Sequence, residues 1–471
     1  MNLKDKLQRL SKKEIIFSLS VIVFFSFFLL KTIEIAISLR FGISPDELEH
    51  IQIIKIFAES SFLPQITPET IVHGPLNKGP YLYYLLLGKF YNLDMHGLNN
   101  ILVLRLLNVL FSSVTVLYIF KLAKLVSKSR YVQLLALILS TNLLMFTILS
   151  ASISYDNLAN MLAAMSIYYL IKYFKTYEIR HAYLYLIFIL LGLLTKMTLI
   201  PLALITFMIM LSIFLKNLKK NSFKISQTVK KTEVFKLSNI FLIVLLGTLS
   251  FFVLNLYGKN LYTYKKLIPT CYQAASQELC QLNINVKRDK EILTDITDIQ
   301  FVDPYNYFYV WRWHIFETTF GFFGHESLIK SGLSIIPYEI IITVALVGLI
   351  HRLKTNYKPL IFLLIISIFY IFILAYYQNY NTYRDTGLIQ LALQGRYIFP
   401  ILAPIVILMS YSLISLFKNQ LLRTLIFVSV VFIFIYGDYF YFKKYVPDTW
   451  YMETTRAELL RDTNQYFRDD D

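Results

Sequence analysis

Four short polar clusters carry the residue types of proton transfer and anion binding. The first, Ser44-Pro45-Asp46-Glu47-Leu48-Glu49-His50, follows directly on the first long apolar run and sets three carboxylates and an imidazole beside it. Ionisable groups next to hydrocarbon are costly enough to mark a site, although the cost falls toward the membrane surface. The others are His73 to Lys78, Tyr155-Asp156, and Gln394-Gly395-Arg396-Tyr397. A carboxylate can take the proton of an attacking hydroxyl, and a guanidinium or ammonium can hold the charge of a departing phosphate. Asp46, Glu47 and Asp156 are the candidate acids; Arg396 and Lys78, with Tyr397, are the candidate phosphate holders.

Each cluster also admits a structural account. Ser44-Pro45-x-Glu47 reads as a capping box, with Pro45 at the first helical position and Glu47 three residues past the cap. Asp46 then sits in the first turn, where the helix dipole keeps it ionised as a base must be. His50, four residues on, shares its face and can orient Asp46 or contribute to a ligand site. Two ligands, Asp46 and His50, do not make a metal site, so no metal is assigned and a divalent ion stays an open option. Arg396 and Tyr397 could be interfacial anchors. Gln394-Gly395 just before them would allow close approach of a ligand, and Arg suits a bidentate phosphate grip. Asp156 could cap its helix after Ser154-Tyr155, and Arg105 could snorkel or join two helices. His73, Tyr155 and Gln394 are supporting candidates.

These clusters must be held by a membrane bundle. The chain of 471 residues is 56% hydrophobic and 16% charged, with a mean hydropathy of +0.55, whereas soluble domains run near ~25% charged. Its 46 Lys+Arg against 30 Asp+Glu leave +16, which in a soluble protein would raise nucleic-acid binding. Here the excess sits in a few loops and follows the positive-inside rule, so no nucleic-acid partner is expected. Apolar segments at 15–39, 100–120, 131–150, 155–171, 182–197, 198–215, 239–257, 337–350, 359–377, 397–417 and 422–442 predict an all-α polytopic bundle of about eleven transmembrane helices.

With the basic N-terminus, Met1 to Lys13, in the cytoplasm and the first helix read as a retained anchor, the loop 216–238 is cytoplasmic. It carries Lys216, Lys219, Lys220, Lys224, Lys230, Lys231 and Lys236 against Glu233 alone. All four polar clusters then converge on the outer face. The first outer loop, 40–99, is expected to hold two juxtamembrane helices, one over 46–59 with Leu48, Ile51, Ile54 and Phe57 at helical spacing, the other over Tyr81 to Tyr91. A large outer loop spans 258–336, the membrane domain runs over 1–442, and 443–471 forms a short extracytoplasmic tail. Cys271 and Cys280, the only two cysteines, lie nine positions apart in the large loop and read as a disulfide. Trp311-Arg312-Trp313-His314 reads as aromatic packing, or else as a membrane-surface or sugar-stacking patch.

The chain resembles GT-C-type membrane glycosyltransferases, the superfamily of protein O-mannosyltransferases and the aminoarabinose transferase acting on lipid A. The resemblance rests on Asp46-Glu47 after the first helix, Lys78-Gly79-Pro80-Tyr81-Leu82-Tyr83-Tyr84, Arg105 entering the next span and Asp156 opening the fourth. It is similar more closely to a bacterial membrane-protein family with a Pro-Asp-Glu-x-x-His element, here Pro45 to His50. That family's further elements are Ser154-Tyr155-Asp156-Asn157, Phe320-Gly321-Phe322-Phe323-Gly324 and Gln394-Gly395-Arg396-Tyr397-Ile398-Phe399-Pro400. The resemblance implies a bundle in the bacterial cytoplasmic (inner) membrane, with a polyprenyl-phosphate sugar donor used on the outer face and Asp46 as base. It also implies a surface-glycan, lipid-linked or protein acceptor recognised by the outer loops. Membrane lipid is the remaining partner. A flippase for lipid-linked sugars and a polysaccharide polymerase or ligase are the alternatives. A flippase should carry charges within several spans to line a path, whereas these gather at one face.

Overall fold

The computed structural model describes residues 11–93, 99–220, 237–295, 302–353, 357–388 and 393–452. Residues 1–10 of the basic N-terminal stretch, most of the lysine-rich loop and the tail beyond 452 lie outside these.

The expected all-helical architecture is present. Every apolar segment read from the sequence is helical, because in hydrocarbon a chain can satisfy its own N–H and C=O groups only by internal pairing. The elements that position the site are α1 (Lys12–Ser38), α2 (Glu47–Glu59), α3 (Leu82–Tyr91), α4 (Asn100–Val126), α5 (Arg130–Thr141) and α6 (Leu144–Ser150). They continue with α7 (Tyr155–Thr176), α8 (Ile179–Thr195), α9 (Ile200–Lys220), α10 (Leu237–Val253), α11 (Pro304–Phe320) and α12 (Ile336–Leu353). The last are α13 (Lys358–Phe372), α14 (Leu402–Leu416) and α15 (Gln420–Ile435).

Seven helices among the described residues are long and apolar enough to cross a membrane, or eight if α5 and α6, bent by 64°, form one span. Ile179–Thr195 and Met197–Ser212 are apolar but shorter. Length and composition thus identify seven or eight crossings among the described residues, and the remaining apolar segments of the eleven read from the sequence are helical without meeting that measure. Three spans continue past their α-helical part through π-helical turns at Leu254–Gly258, Ile373–Asn379 and Tyr436–Phe440.

The apolar faces follow the bilayer rather than water: Ile16, Leu30, Phe241, Val244 and Phe432 are exposed on the outside of the bundle, where lipid is the solvent. The interior is a large apolar core that also encloses polar and charged residues such as Glu47, Arg105, Asp156 and Arg396. Among the described residues the one sheet is a hairpin, β1 (Phe322–Phe323) antiparallel to β2 (Ser327–Leu328), with Phe322 opposite Leu328. Both juxtamembrane helices form. α2 buries Ile51, Ile54 and Phe57 but leaves Leu48 exposed. It touches α3 at Gly88, where a Cβ would lie 2.9 Å from the Ala58 nitrogen; any larger residue would part the two helices.

Candidate active site

The loop between α1 and α2 departs from the expected capping box. The helix begins at Glu47, its N-cap is Asp46, and the Asp46 backbone is left-handed at φ 61°. Asp and Asn are the non-glycine residues that tolerate this conformation best. Ser44, expected as the cap, instead shares a 2.5 Å hydrogen bond with the Ser152 hydroxyl. Asp46 makes no side-chain cap bond, so its carboxylate is turned away from its own helix and is free to serve another partner.

Glu47, released from capping, points inward. Arg105 on α4 grips it bidentately, Nε to Oε1 at 2.9 Å and Nη2 to Oε2 at 2.8 Å, and both side chains are fully buried. Arg105 also donates to the carbonyls of Ala36 (3.0 Å) and Leu39 (2.6 Å) at the end of α1. Glu47 accepts from the Ile153 N–H at 3.0 Å. This pair ties α1, α2, α4 and the turn before α7 into one frame. Arg105 is therefore an inter-helix residue and not a snorkelling one.

On that frame stands a cluster of alternating charge. Arg396 donates from Nη2 to the Asp46 carboxylate at 2.5 Å and stands 3.5 Å from Asp156 through Nη1. Asp156 is bound on its other oxygen by Lys196. Arg396 and Asp156 are 2% and 1% exposed, Lys196 is 6%, yet Asp46 keeps 41% of its side-chain surface open. Three members are locked and one stays open at the protein surface. Two carboxylates and two cations balance, which is what makes such burial tolerable. Burial around Asp46 favours its neutral form, but the Arg396 guanidinium outweighs that and, with smaller help from His50 and then His325, holds the carboxyl at about 2.

The local sequence explains each placement. Ser154 caps α7 by accepting from the Asp156 N–H at 3.2 Å, so Asp156 lies in the first turn. The tight turn expected at Thr195-Lys196 is the break between α8 and the 3-10 turn Met197–Leu199, and it delivers Lys196 over the rings of Tyr155 (4.4 Å) and Tyr397 (5.1 Å). Arg396 lies in a 3-10 turn, Gly395–Ile401, ahead of α14. Buried at 2%, it is no interfacial anchor. The bare Gly395 admits helix α11 rather than a ligand, since a Cβ would sit 2.5 Å from the Thr319 nitrogen.

His50 lies at the edge of this cluster. Its Nδ1 pairs with the Tyr84 hydroxyl at 2.9 Å, its ring meets Tyr155 edge-on at 4.7 Å, and its buried Nε2 has no partner among the described residues. Burial pushes the imidazole down to about 4, with Asp46 pulling the other way. It is neutral at physiological pH. No group of three or more His, Cys, Asp or Glu able to hold a metal occurs among the described residues.

The remaining candidates stand elsewhere. Lys78 lies against the Tyr264 ring at 5.9 Å, away from the contacts of the charge cluster. His73 likewise makes none of the cluster's contacts, and among the described residues its buried Nδ1 has no hydrogen-bond partner, nor has Gln394 Oε1. Trp311 is buried and donates to Asn379 Oδ1 at 3.1 Å, and His314 pairs with Glu317 at 2.8 Å, so at these two residues the motif is packing. Cys271 and Cys280 form the expected disulfide. Two contributors escaped the sequence reading, Lys196 and His325. A lone lysine between two apolar segments at the outer turn was the available signal for the first; His325 beside the Phe320 to Gly324 element gave none.

Residues 78–229 match the family of dolichyl-phosphate-mannose-protein mannosyltransferases. The match covers about a third of the chain and includes Arg105, Tyr155, Asp156 and Lys196, but neither Asp46 nor Arg396. It supports the GT-C glycosyltransferase superfamily and glycosyltransferase activity in general. No curated protein matches the chain.

Proposed function

We propose that the protein transfers a sugar from a polyprenyl-phosphate donor to an extracytoplasmic acceptor hydroxyl, with Asp46 as general base and Arg396 and Lys196 as the cations that receive the leaving phosphate. The observation that carries this reading is the Asp46–Arg396–Asp156–Lys196 chain, in which the Asp46 carboxylate is the exposed end and the cations stand directly behind it. Asp46 takes the acceptor proton while the acceptor oxygen attacks the anomeric carbon and the bond from that carbon to the phosphate oxygen breaks. A single displacement of this kind inverts the anomeric centre.

Asp156 acts here as a spacer rather than a base, because both its oxygens already face cations. It holds Arg396 and Lys196 in register for one phosphate. Arg396 also couples donor binding to basicity. Paired with Asp46 it holds the carboxyl at about 2, too low for efficient proton abstraction. A donor phosphate drawing the guanidinium away raises the Asp46 pKa toward the working range.

A largely apolar cavity of about 520 Å³ is lined by Ile398, Leu402 and Ile405, which follow Arg396 in the chain, and by Thr319, with Arg312 and Glu339 also on its wall. Its apolar side suits the donor's isoprenoid chain. Glycan mass spectrometry of a deletion strain tests the function. Loss of one residue mass from a surface glycan, glycolipid or protein supports transfer and identifies the acceptor, whereas intact sugars with an accumulated precursor would assign transport instead.

A further inference from the structure

A second buried charge network lies away from the Asp46 site. Lys31 on α1 pairs with Asp438, in the π turn after α15, and donates to the Thr141 carbonyl at 2.5 Å, where α5 breaks before α6. Lys330, just after β2, is 3% exposed and lies over the rings of Tyr441 (4.4 Å) and Tyr338 (5.6 Å), its ammonium donating to the Phe320 carbonyl. Burial draws Lys330 down to about 7, while Asp438 favours the charged form. Either protonation state can donate to a carbonyl, so the bond does not need the charge.

Phe320 and Lys330 are the two feet of the β1–β2 hairpin. The Lys330 bond therefore clips the hairpin shut at its base, and the tip is set against the catalytic loop. A Cβ on Gly324 would lie 2.7 Å from the Ile43 carbonyl and 3.0 Å from Pro45 Cδ, so the backbones touch without side chains between them. At the next residue His325 acts electrostatically on Asp46. Phe322 packs edge-on against Trp450 at 5.6 Å, and the Trp450 carbonyl accepts from the Arg40 N–H at 2.8 Å. The Phe-Gly-Phe-Phe-Gly element is thus the wall behind Asp46.

We infer that Lys330 is a positioning residue for the Asp46 site, acting through Phe320 and the hairpin that backs Pro45-Asp46. It touches no reactant. The catalytic consequence rests on the function proposed above; the structural one does not. A bond lost at the hairpin's base lets the tip move, and a displacement of about 1 Å at a reacting group can cost on the order of 100-fold in rate.

The test places spin labels on cysteines introduced at Leu48 and Glu326, both exposed; the native cysteines are held in their disulfide. In Lys330→Met the distance distribution should broaden, and kcat should fall roughly 10- to 100-fold with the donor KM nearly unchanged. A merely structural role would lower yield or unfolding temperature and leave distance and kcat as they are. Should Lys330→Met fail to accumulate, Lys31→Met/Asp438→Leu/Lys330→Met replaces the whole network by apolar groups, a change buried ion networks tolerate better than loss of one partner. Broadening is expected there too, because the Phe320 carbonyl still lacks its donor. A distribution as narrow as wild type in the variant that folds overturns the inference. Broadening in a protein whose Asp46→Asn variant stays active would keep the hairpin assignment and sink the proposed base.

Discussion

Neighbouring carboxylates with opposite duties make a demanding prediction. Glu47→Gln removes the anion facing a fully buried guanidinium and also disturbs the acceptor of the Ile153 N–H. Breaking one side of a buried pair leaves an unpaired charge and costs about 3–5 kcal/mol. Asp46→Asn changes a side chain that is 41% exposed and leaves the buried Arg396 with Asp156 at 3.5 Å, so the stability cost should stay below that of Glu47→Gln, at about 1–2 kcal/mol. The activity order is reversed: loss of a general base lowers turnover by about 10²–10⁴-fold. Purified variants in detergent are compared by apparent unfolding temperature and by sugar transfer from a polyprenyl-phosphate donor. Glu47→Gln should unfold much earlier, and Glu47→Gln/Arg105→Gln should recover part of the loss by removing both charges. Asp46→Asn should unfold closer to wild type and be nearly inactive. A stable Glu47→Gln together with an active Asp46→Asn would refute the division of roles.

Other consequences follow from the same geometry. Arg396→Lys keeps the charge but cannot span Asp46 and Asp156 with a planar fork, so donor affinity should fall at least roughly tenfold, about 1.4 kcal/mol; Lys196→Met should do the same, and donor binding at wild-type strength in both would remove the phosphate clamp. His50 is held neutral, its pKa depressed to about 4 from an unfolded value near ~6.5. Between those values the unfolded state binds the extra proton, so stability falls as pH falls through the window, by about 3 kcal/mol in full. His50→Phe should flatten that part of the curve of unfolding temperature against pH, and an unchanged slope would contradict its burial as a neutral group. Cys271 and Cys280 should resist external thiol labelling in intact cells until reduced; labelling without reduction would place the disulfide assignment or the loop's sidedness in error.

The helices and the acidic loop were legible because hydropathy and helical spacing are local signals. Ile51, Ile54 and Phe57 face inward as their spacing required, and a run such as 397–417 can be little else in a membrane. The partners were not legible. Glu47 reads as a cap because Ser44 stands three residues before it; only the fold reveals that Arg105, 58 positions away, outbids the cap. Lys196 looked like a turn residue because nothing local shows that the turn abuts Asp156. Gly395 reads as room for a ligand, and the structure spends that room on α11. Charge pairing across a bundle is set by which helices meet, and one sequence does not contain that information in local form.

The central claim is that an open carboxylate at Asp46 and cations at Arg396 and Lys196 cleave a sugar from a polyprenyl phosphate. The most direct measurement reconstitutes the purified protein in liposomes carrying a radiolabelled polyprenyl-phosphate sugar and a cell-envelope acceptor fraction, then follows both the sugar and the free lipid phosphate. Wild type should release polyprenyl phosphate in step with label entering the acceptor, and Asp46→Asn should lose about 10²-fold or more of both. Donor that crosses the bilayer uncleaved, at the same rate in wild type and Asp46→Asn, would contradict the account.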